Sequence, residues 1–145
     1  MNSRRLRIVR DILRFGLSAA FLAAGVLHLA VPDPFVAITP TWVPEPETVV
    51  RATGVAELAG AVGLMMRRFR RAAGIGLALY AVCVFPANLR HAFDPDVALP
   101  PLGWAYHGPR LMLQPVIVWL CLWVAEVVDW PFLSETKSSS PPAND

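Results

Sequence analysis

Charge is scarce in this chain and unevenly spread. Only 17% of its 145 residues are Asp, Glu, Lys or Arg, against 55% hydrophobic. That balance is too apolar for an ordinary soluble domain of this length and fits a membrane protein. Cysteine is scarcer still. Cys83 and Cys121 make no C-x-x-C pair and each sits inside an apolar run, so both read as small buried hydrophobes, and their spacing gives no support for a disulfide. Gly-rich phosphate loops, nucleophile elbows and nucleic-acid motifs are absent, so no nucleic-acid partner is expected. The three histidines, His28, His91 and His107, include no H-x-x-x-H pair on one helix and no carboxylate–histidine motif, so no metal or haem site is expected.

What is abundant is uninterrupted apolar sequence. Residues 15–31 carry no charge beyond possible titration of His28. Residues 48–66 are interrupted by Arg51 and Glu57. Residues 72–89 hold no charged side chain, and residues 111–128 hold only Glu126. Each run supplies most of the ~20 residues a helix needs to cross hydrocarbon. In lipid every backbone amide must be satisfied internally, so these runs are helices rather than open strands. The first follows basic residues like a signal peptide but is too long for an h-region, and it reads as an uncleaved anchor. The expected fold is therefore all-α: an integral membrane four-helix bundle over residues 1–133, with a polar, disordered cytoplasmic tail over 134–145.

Arginine sets the expected orientation. Arg4, Arg5, Arg7 and Arg10 precede the first run, and "RRFRR" (Arg67, Arg68, Arg70, Arg71) joins the second to the third. With four crossings these regions share a side, and the positive-inside rule makes it the cytoplasm, with both termini there in a bacterial inner membrane. "RRFRR" itself reads as a topology anchor touching anionic lipid. The two opposite connections, "VPDPFVAITPTWVPEPE" and "FDPDVALPPLGWAYHGP", are proline-rich extracytoplasmic loops whose Trp and Tyr suit the membrane interface. Small residues recur at every fourth position in Gly16, Ala20, Ala24 and in Ala52, Ala56, Gly60, the pattern of close helix contacts.

Polar residues gather toward one end. In "VFPANLRHA", Pro86 has no amide proton, which leaves the Val82 carbonyl without its helical partner; Asn88 stands in the same layer to serve it. His28, Arg51, Glu57, Arg110 and Gln114 lie at a similar level, so His28, Arg51, Glu57, Asn88, Arg110 and Gln114 form the candidate polar cluster or ligand-binding site. Glu57 is the most costly of them, since a carboxylate at membrane depth costs about 2.5–3.5 kcal/mol unless paired, neutral or wet. An internal ion pair with Arg51 or Arg110 and a ligand site are both open readings. At the other end, Arg14 and Glu126 are lone charges expected to pair.

The linked stretches "GVLHLAVPDPFVAITPTWVPEP", "TGVAELAGAVGLMMRRFRRAAGIGLAL", "VFPANLRHA" and "RLMLQPVIVWLCLW" resemble the DoxX-like family of small bacterial four-helix membrane proteins. The resemblance covers about residues 16–123. It sets His28, Pro40, Trp42, Pro44, Gly54, Glu57, Pro86, Asn88, Arg110 and Gln114 on family motif positions. The chain departs from the family pattern at Leu29, where phenylalanine is usual, and at His91, where an apolar residue is expected. The resemblance implies an accessory or subunit role in a quinone-linked membrane redox system. The chain has no cofactor motif of its own, so a quinone is the expected ligand and electrons would come from a membrane oxidoreductase partner. Small-molecule or lipid binding or transport, and a purely structural role, are the alternatives, and whether the chain is an enzyme stays open. Oligomeric state is not readable.

Overall fold

The computed structural model describes residues 3–94 and 103–130. Among them every regular element is an α-helix: α1 (Ser3–Ala30), α2 (Asp33–Ile38), α3 (Pro46–Met65), α4 (Arg70–Cys83), α5 (Phe85–Phe93) and α6 (Trp104–Val124). Proline punctuates this order. Pro34, Pro46 and Pro86 stand in the first two positions of α2, α3 and α5, where a missing amide proton removes no helical bond. The first proline-rich connection thus becomes the short helix α2 followed by turns. Residues 95–102 of the second connection, and the tail expected over 134–145, lie outside the described residues; the connection's end, from Trp104, is already helical in α6.

Three helical stretches are long and apolar enough to cross a membrane: Arg4–Ala30, Pro46–Met65, and Arg70–Phe93, which spans α4 and α5. The first half of α6 is more polar, with His107, Arg110 and Gln114 alongside Pro109 and Pro115. The outward faces are strongly apolar. Ile12, Phe15, Val55, Leu79 and Val82 are each more than half exposed, a surface that suits hydrocarbon and would be a liability in water.

α1 packs antiparallel to α3, α3 against α4, α4 against α6, and α6 closes back on α1. The α1 seam is Arg14, Ser18, Phe21 and Gly25, spaced to share one helical face and all buried. Its tightest point pairs two glycines. A Cβ on Gly25 would lie 2.7 Å from the Gly54 carbonyl oxygen, and one on Gly54 would lie 2.8 Å from His28 Cβ. Of the stripes expected from sequence, Gly60 does make a close helix contact, with Leu77 of α4, whereas Gly16 has open space around it. A four-residue repeat of small side chains marks a possible contact face, but the larger Arg14 and Phe21 lie on the face that is used.

The densest core lies where α3 and α6 end and α4 begins. Leu64, Cys121, Trp123 and Val124 are almost wholly enclosed there, and Gly74 lets α4 approach Ala125 and the Cys121 carbonyl. Both cysteines are free thiols, Cys121 buried and Cys83 exposed. α6 stops at Val124, short of residue 128. Glu126 adopts a left-handed conformation, φ 61°. Its amide donates to the Trp123 carbonyl at 3.1 Å, and the Val127 amide donates to Leu122 at 2.9 Å. This is a Schellman ending, in which glycine usually takes the left-handed position.

A side chain there costs about 1–2 kcal/mol. The offset is ionic. Glu126 Oε1 lies 3.1 Å from Arg14 Nη2 and 3.2 Å from Arg70 Nη1. Arg14 Nε donates to the Val124 carbonyl at 2.9 Å, and Arg70 Nε to the Leu64 carbonyl at 3.3 Å, so the same two arginines satisfy the open ends of α6 and α3. The expected Arg14–Glu126 pair is present.

Two stability measurements check this account. Gly54→Leu should destabilise the protein by about 1–3 kcal/mol through overpacking, whereas Gly16→Leu should be close to neutral; thermal unfolding in detergent compares them directly. Glu126→Ala loses the pairs and keeps the strained backbone, while Glu126→Gly loses the pairs and relieves the strain. The glycine variant should therefore be more stable than the alanine variant by about 1 kcal/mol, and the reverse order would refute the strain argument.

Candidate functional site

Away from the dense core the helices part around a cavity of about 530 Å³. Its walls are mostly aliphatic and aromatic, including Leu17, Phe21, Ile38, Val50 and Ile117. His28, Glu57, Asn88, Arg110 and Gln114 come to it from α1, α3, α5 and α6, joined by Thr53 and Tyr80. The structure thus brings five of the six residues read from sequence to one space. Arg51 is the exception. It lies six residues before Glu57, roughly 120° round the helix. It is half exposed and paired with Glu47 one turn earlier, Nη2 to Oε1 2.9 Å. Of the two ion pairs left open for Glu57, the one with Arg51 is not formed, because a nearer carboxylate on its own face holds the guanidinium.

Glu57 is 3% exposed and lies about 17 Å along α3 from its start. Its partner is on α1: His28 Nδ1 is 2.9 Å from Glu57 Oε2. The same nitrogen is 2.8 Å from the Ala24 carbonyl one turn back. His28 Nδ1 thus stands between two oxygens, the Ala24 carbonyl and Glu57 Oε2, and a single ring proton serves one of them at a time. The Tyr80 hydroxyl interacts with both Glu57 and Thr53. Carboxylic acid with imidazole, or carboxylate with imidazolium, are both neutral overall, so the pair costs far less in an apolar setting than a lone carboxylate.

The remaining polar residues form separate groups. Asn88 Nδ2 donates to Gln114 Oε1 at 3.0 Å, and Gln114 Nε2 donates to the Ala81 carbonyl. The helix is interrupted at Val84, between α4 and α5, so the carbonyl served across the interface is that of Ala81 rather than Val82, and its donor comes from α6 rather than from Asn88. Arg110 Nη1 donates to His91 Nδ1 at 2.6 Å and lies over the Tyr106 ring. The expectation that Glu57 would share one hydrogen-bonded cluster with at least two of His28, Asn88, Arg110 and Gln114 is corrected: of these, only His28 reaches it.

α2 closes one side. Phe35 stacks on the His28 ring, centroids 3.9 Å apart. Thr39 Oγ1 donates to the Phe35 carbonyl at 2.9 Å, and the Arg90 guanidinium donates to the Thr39 carbonyl, tying α5 to the end of α2. Sequence reasoning missed Phe35, Thr53, Tyr80 and Arg90. Thr53 was findable, since it stands one turn before Glu57 on the same face. Arg90 acts on a backbone carbonyl 51 residues away, for which no local pattern exists. Among the described residues no group of three or more His, Cys, Asp or Glu side chains is arranged to hold a metal ion.

A family profile described as "Domain of unknown function (DUF8561)" matches residues 17–125. The chain belongs to that family. No curated protein and no solved structure gives a match. The matched span takes in the whole cavity, from the α1 seam to the end of α6.

The Asn88–Gln114–Ala81 relay can be tested without a ligand. Gln114→Leu strands both Asn88 and a buried carbonyl, and should cost about 1–3 kcal/mol. Adding Asn88→Leu removes one of the stranded groups, so the double variant should be more stable than the sum of the single effects implies. Additive losses in thermal unfolding would show that the relay is not a unit.

Proposed function

We propose that this chain is a DoxX-like integral membrane protein that binds the head group of a quinone-class molecule in the cavity and serves a membrane redox system as an accessory or subunit. In this reading α1, α3, α4–α5 and α6 form a four-helix bundle of the bacterial inner membrane. The arginines of the N-terminal segment and of "RRFRR" support a cytoplasmic location for both termini. The linked motifs around His28, Glu57, Asn88 and Arg110 support the DoxX-like relationship and, through it, the redox association.

The observation that carries the reading is the cavity itself. Its volume lies in the range of small-molecule sites, and its apolar walls meet a few convergent polar groups. A quinone needs an apolar slot for its ring and tail and donors for its carbonyl oxygens. Arg110 has N–H groups beyond the one given to His91, and Asn88 has a second amide proton. A competing reading, binding of a weakly acidic apolar molecule, is favoured by one feature: among the described residues no carboxylate pairs with Arg110.

Thermal unfolding with short-tailed quinones separates them. A quinone at about 100 times its Kd should stabilise the protein by roughly 2.7 kcal/mol, a rise of several degrees. Glu57→Gln, which disturbs the His28 and Tyr80 contacts, should weaken the response. No shift with any quinone would remove this proposal, and a shift with apolar carboxylic acids alone would favour the second reading.

A further inference from the structure

A second hollow lies on the opposite side of α3. It is an open groove of about 800 Å³ between α3 and α4, lined by side chains such as Val55, Val62, Met66, Phe69 and Leu77. Val55 and Val62 are more than half exposed, so the groove opens outward on the apolar surface of the helices. From Val55 to Met66 it runs about 16 Å along α3, close to half of the ~30 Å hydrocarbon thickness, the depth of one leaflet. The chain cannot readily fill it. Gly60 and Gly63 form its floor, and there α3 and α4 are too close for added side chains: a Cβ on Gly63 would lie 2.8 Å from Ala73 Cβ. Gly76, on its α4 wall, has nothing within 4 Å.

The groove has one charged end, at the α3–α4 turn, whose own charged residues are all arginines. Arg67 and Arg68 lie between the lining residues Met66 and Phe69, and Arg71 directly precedes Ala72, also in the lining. The four arginines of this turn divide into two sets. Arg70 is committed to Glu126 and the Leu64 carbonyl. Arg67, Arg68 and Arg71 are exposed, and among the described residues none forms an ion pair, unlike Arg10, Arg14, Arg51, Arg70 and Arg90. An apolar channel one leaflet deep, ending at three unneutralised guanidinium groups, matches the two parts of a phospholipid. A neighbouring helix would match the channel but has no reason to carry an anion at that end.

We propose that this groove is a binding site for an anionic phospholipid, with an acyl chain lying between α3 and α4 and the phosphate on Arg67, Arg68 and Arg71. The site lies across α3 from the quinone cavity, with Tyr80 bordering both, and the proposal rests only on the bilayer setting of the helices. Guanidinium groups bind phosphate oxygens through directed N–H donors, so the site discriminates by head group as well as by tail.

Native mass spectrometry of the full chain tests it, after exchange into micelles holding equal phosphatidylglycerol and phosphatidylcholine with identical acyl chains. The parent protein should retain phosphatidylglycerol with a preference on the order of tenfold. Arg67→Gln/Arg68→Gln/Arg71→Gln should bring the ratio close to one. Gly76→Leu, which fills the groove from its open side, should lower retention of phosphatidylglycerol at least severalfold. Equal retention of the two lipids by the parent would overturn the proposal. Unchanged retention by the Gly76→Leu protein would overturn it too, as would a lipid-free dimer that Gly76→Leu dissociates, since the groove would then belong to a second copy. Should Gly76→Leu fail to fold, the triple arginine variant, altered only in and beside an exposed turn, still decides the head-group question.

Discussion

The contact between Gly25 and Gly54 sets the geometry on which the cavity depends. With no side chain on either residue, the α1 and α3 backbones approach until only a carbonyl oxygen separates them. Lipid offers no hydrophobic drive for such an approach, so close van der Waals contact and polar bonding must hold it. The approach brings His28, three residues beyond Gly25, within bonding distance of Glu57, three residues beyond Gly54. A wider spacing would leave Glu57 as an isolated carboxylate deep in an apolar environment. The glycines and the polar pair are therefore one device: the first makes the distance, and the second makes the buried charge tolerable.

The molecule is built differently at its two ends. At one, Leu64, Trp123 and Val124 fill the interior, and Arg14 and Arg70 knit α1, α4 and α6 through Glu126. At the other, the helical wall is interrupted at Val84, two residues before Pro86, and α2 covers the gap. Close packing and a void of several hundred cubic ångströms are opposing demands on a short chain. Separating them along the long axis lets the rigid end hold the helices in register while the other end stays open.

Much of this was legible in the sequence, for definite reasons. Long charge-free runs specify helices because hydrocarbon leaves the backbone no alternative. Polar residues in and beside those runs recur at one level, which brought His28, Glu57, Asn88, Arg110 and Gln114 into view together, with Arg51 wrongly among them. Partner choice was legible for Arg14 and Glu126, the lone charges at one end, and not among the polar residues at the other. Arg51 went to Glu47 because a carboxylate one turn away on the same face wins over one further round the helix. Gln114 took the Ala81 carbonyl across the α4–α6 interface, a choice set by how two helices pack rather than by spacing along either one. The end of α6 was invisible for a different reason: a glutamate occupies a backbone conformation that sequence associates with glycine, and only its two arginine partners, 56 and 112 residues away, explain it.

The tether between Arg90 and the Thr39 carbonyl has a consequence for how the protein tolerates change. Its acceptor is main chain, which every amino acid supplies, so the bond survives replacement of the residue at position 39 and fails on replacement of Arg90. The information that keeps α2 over the cavity is therefore stored in α5, on the far side of the gap it closes. Substitutions at position 39 can reshape the cavity wall without breaking this bond, while a change at Arg90 breaks it and leaves the Phe35–His28 stack and the buried Ile38 to hold the cover. Freedom to vary the cavity wall and the bond that helps close it are thereby assigned to separate parts of the chain.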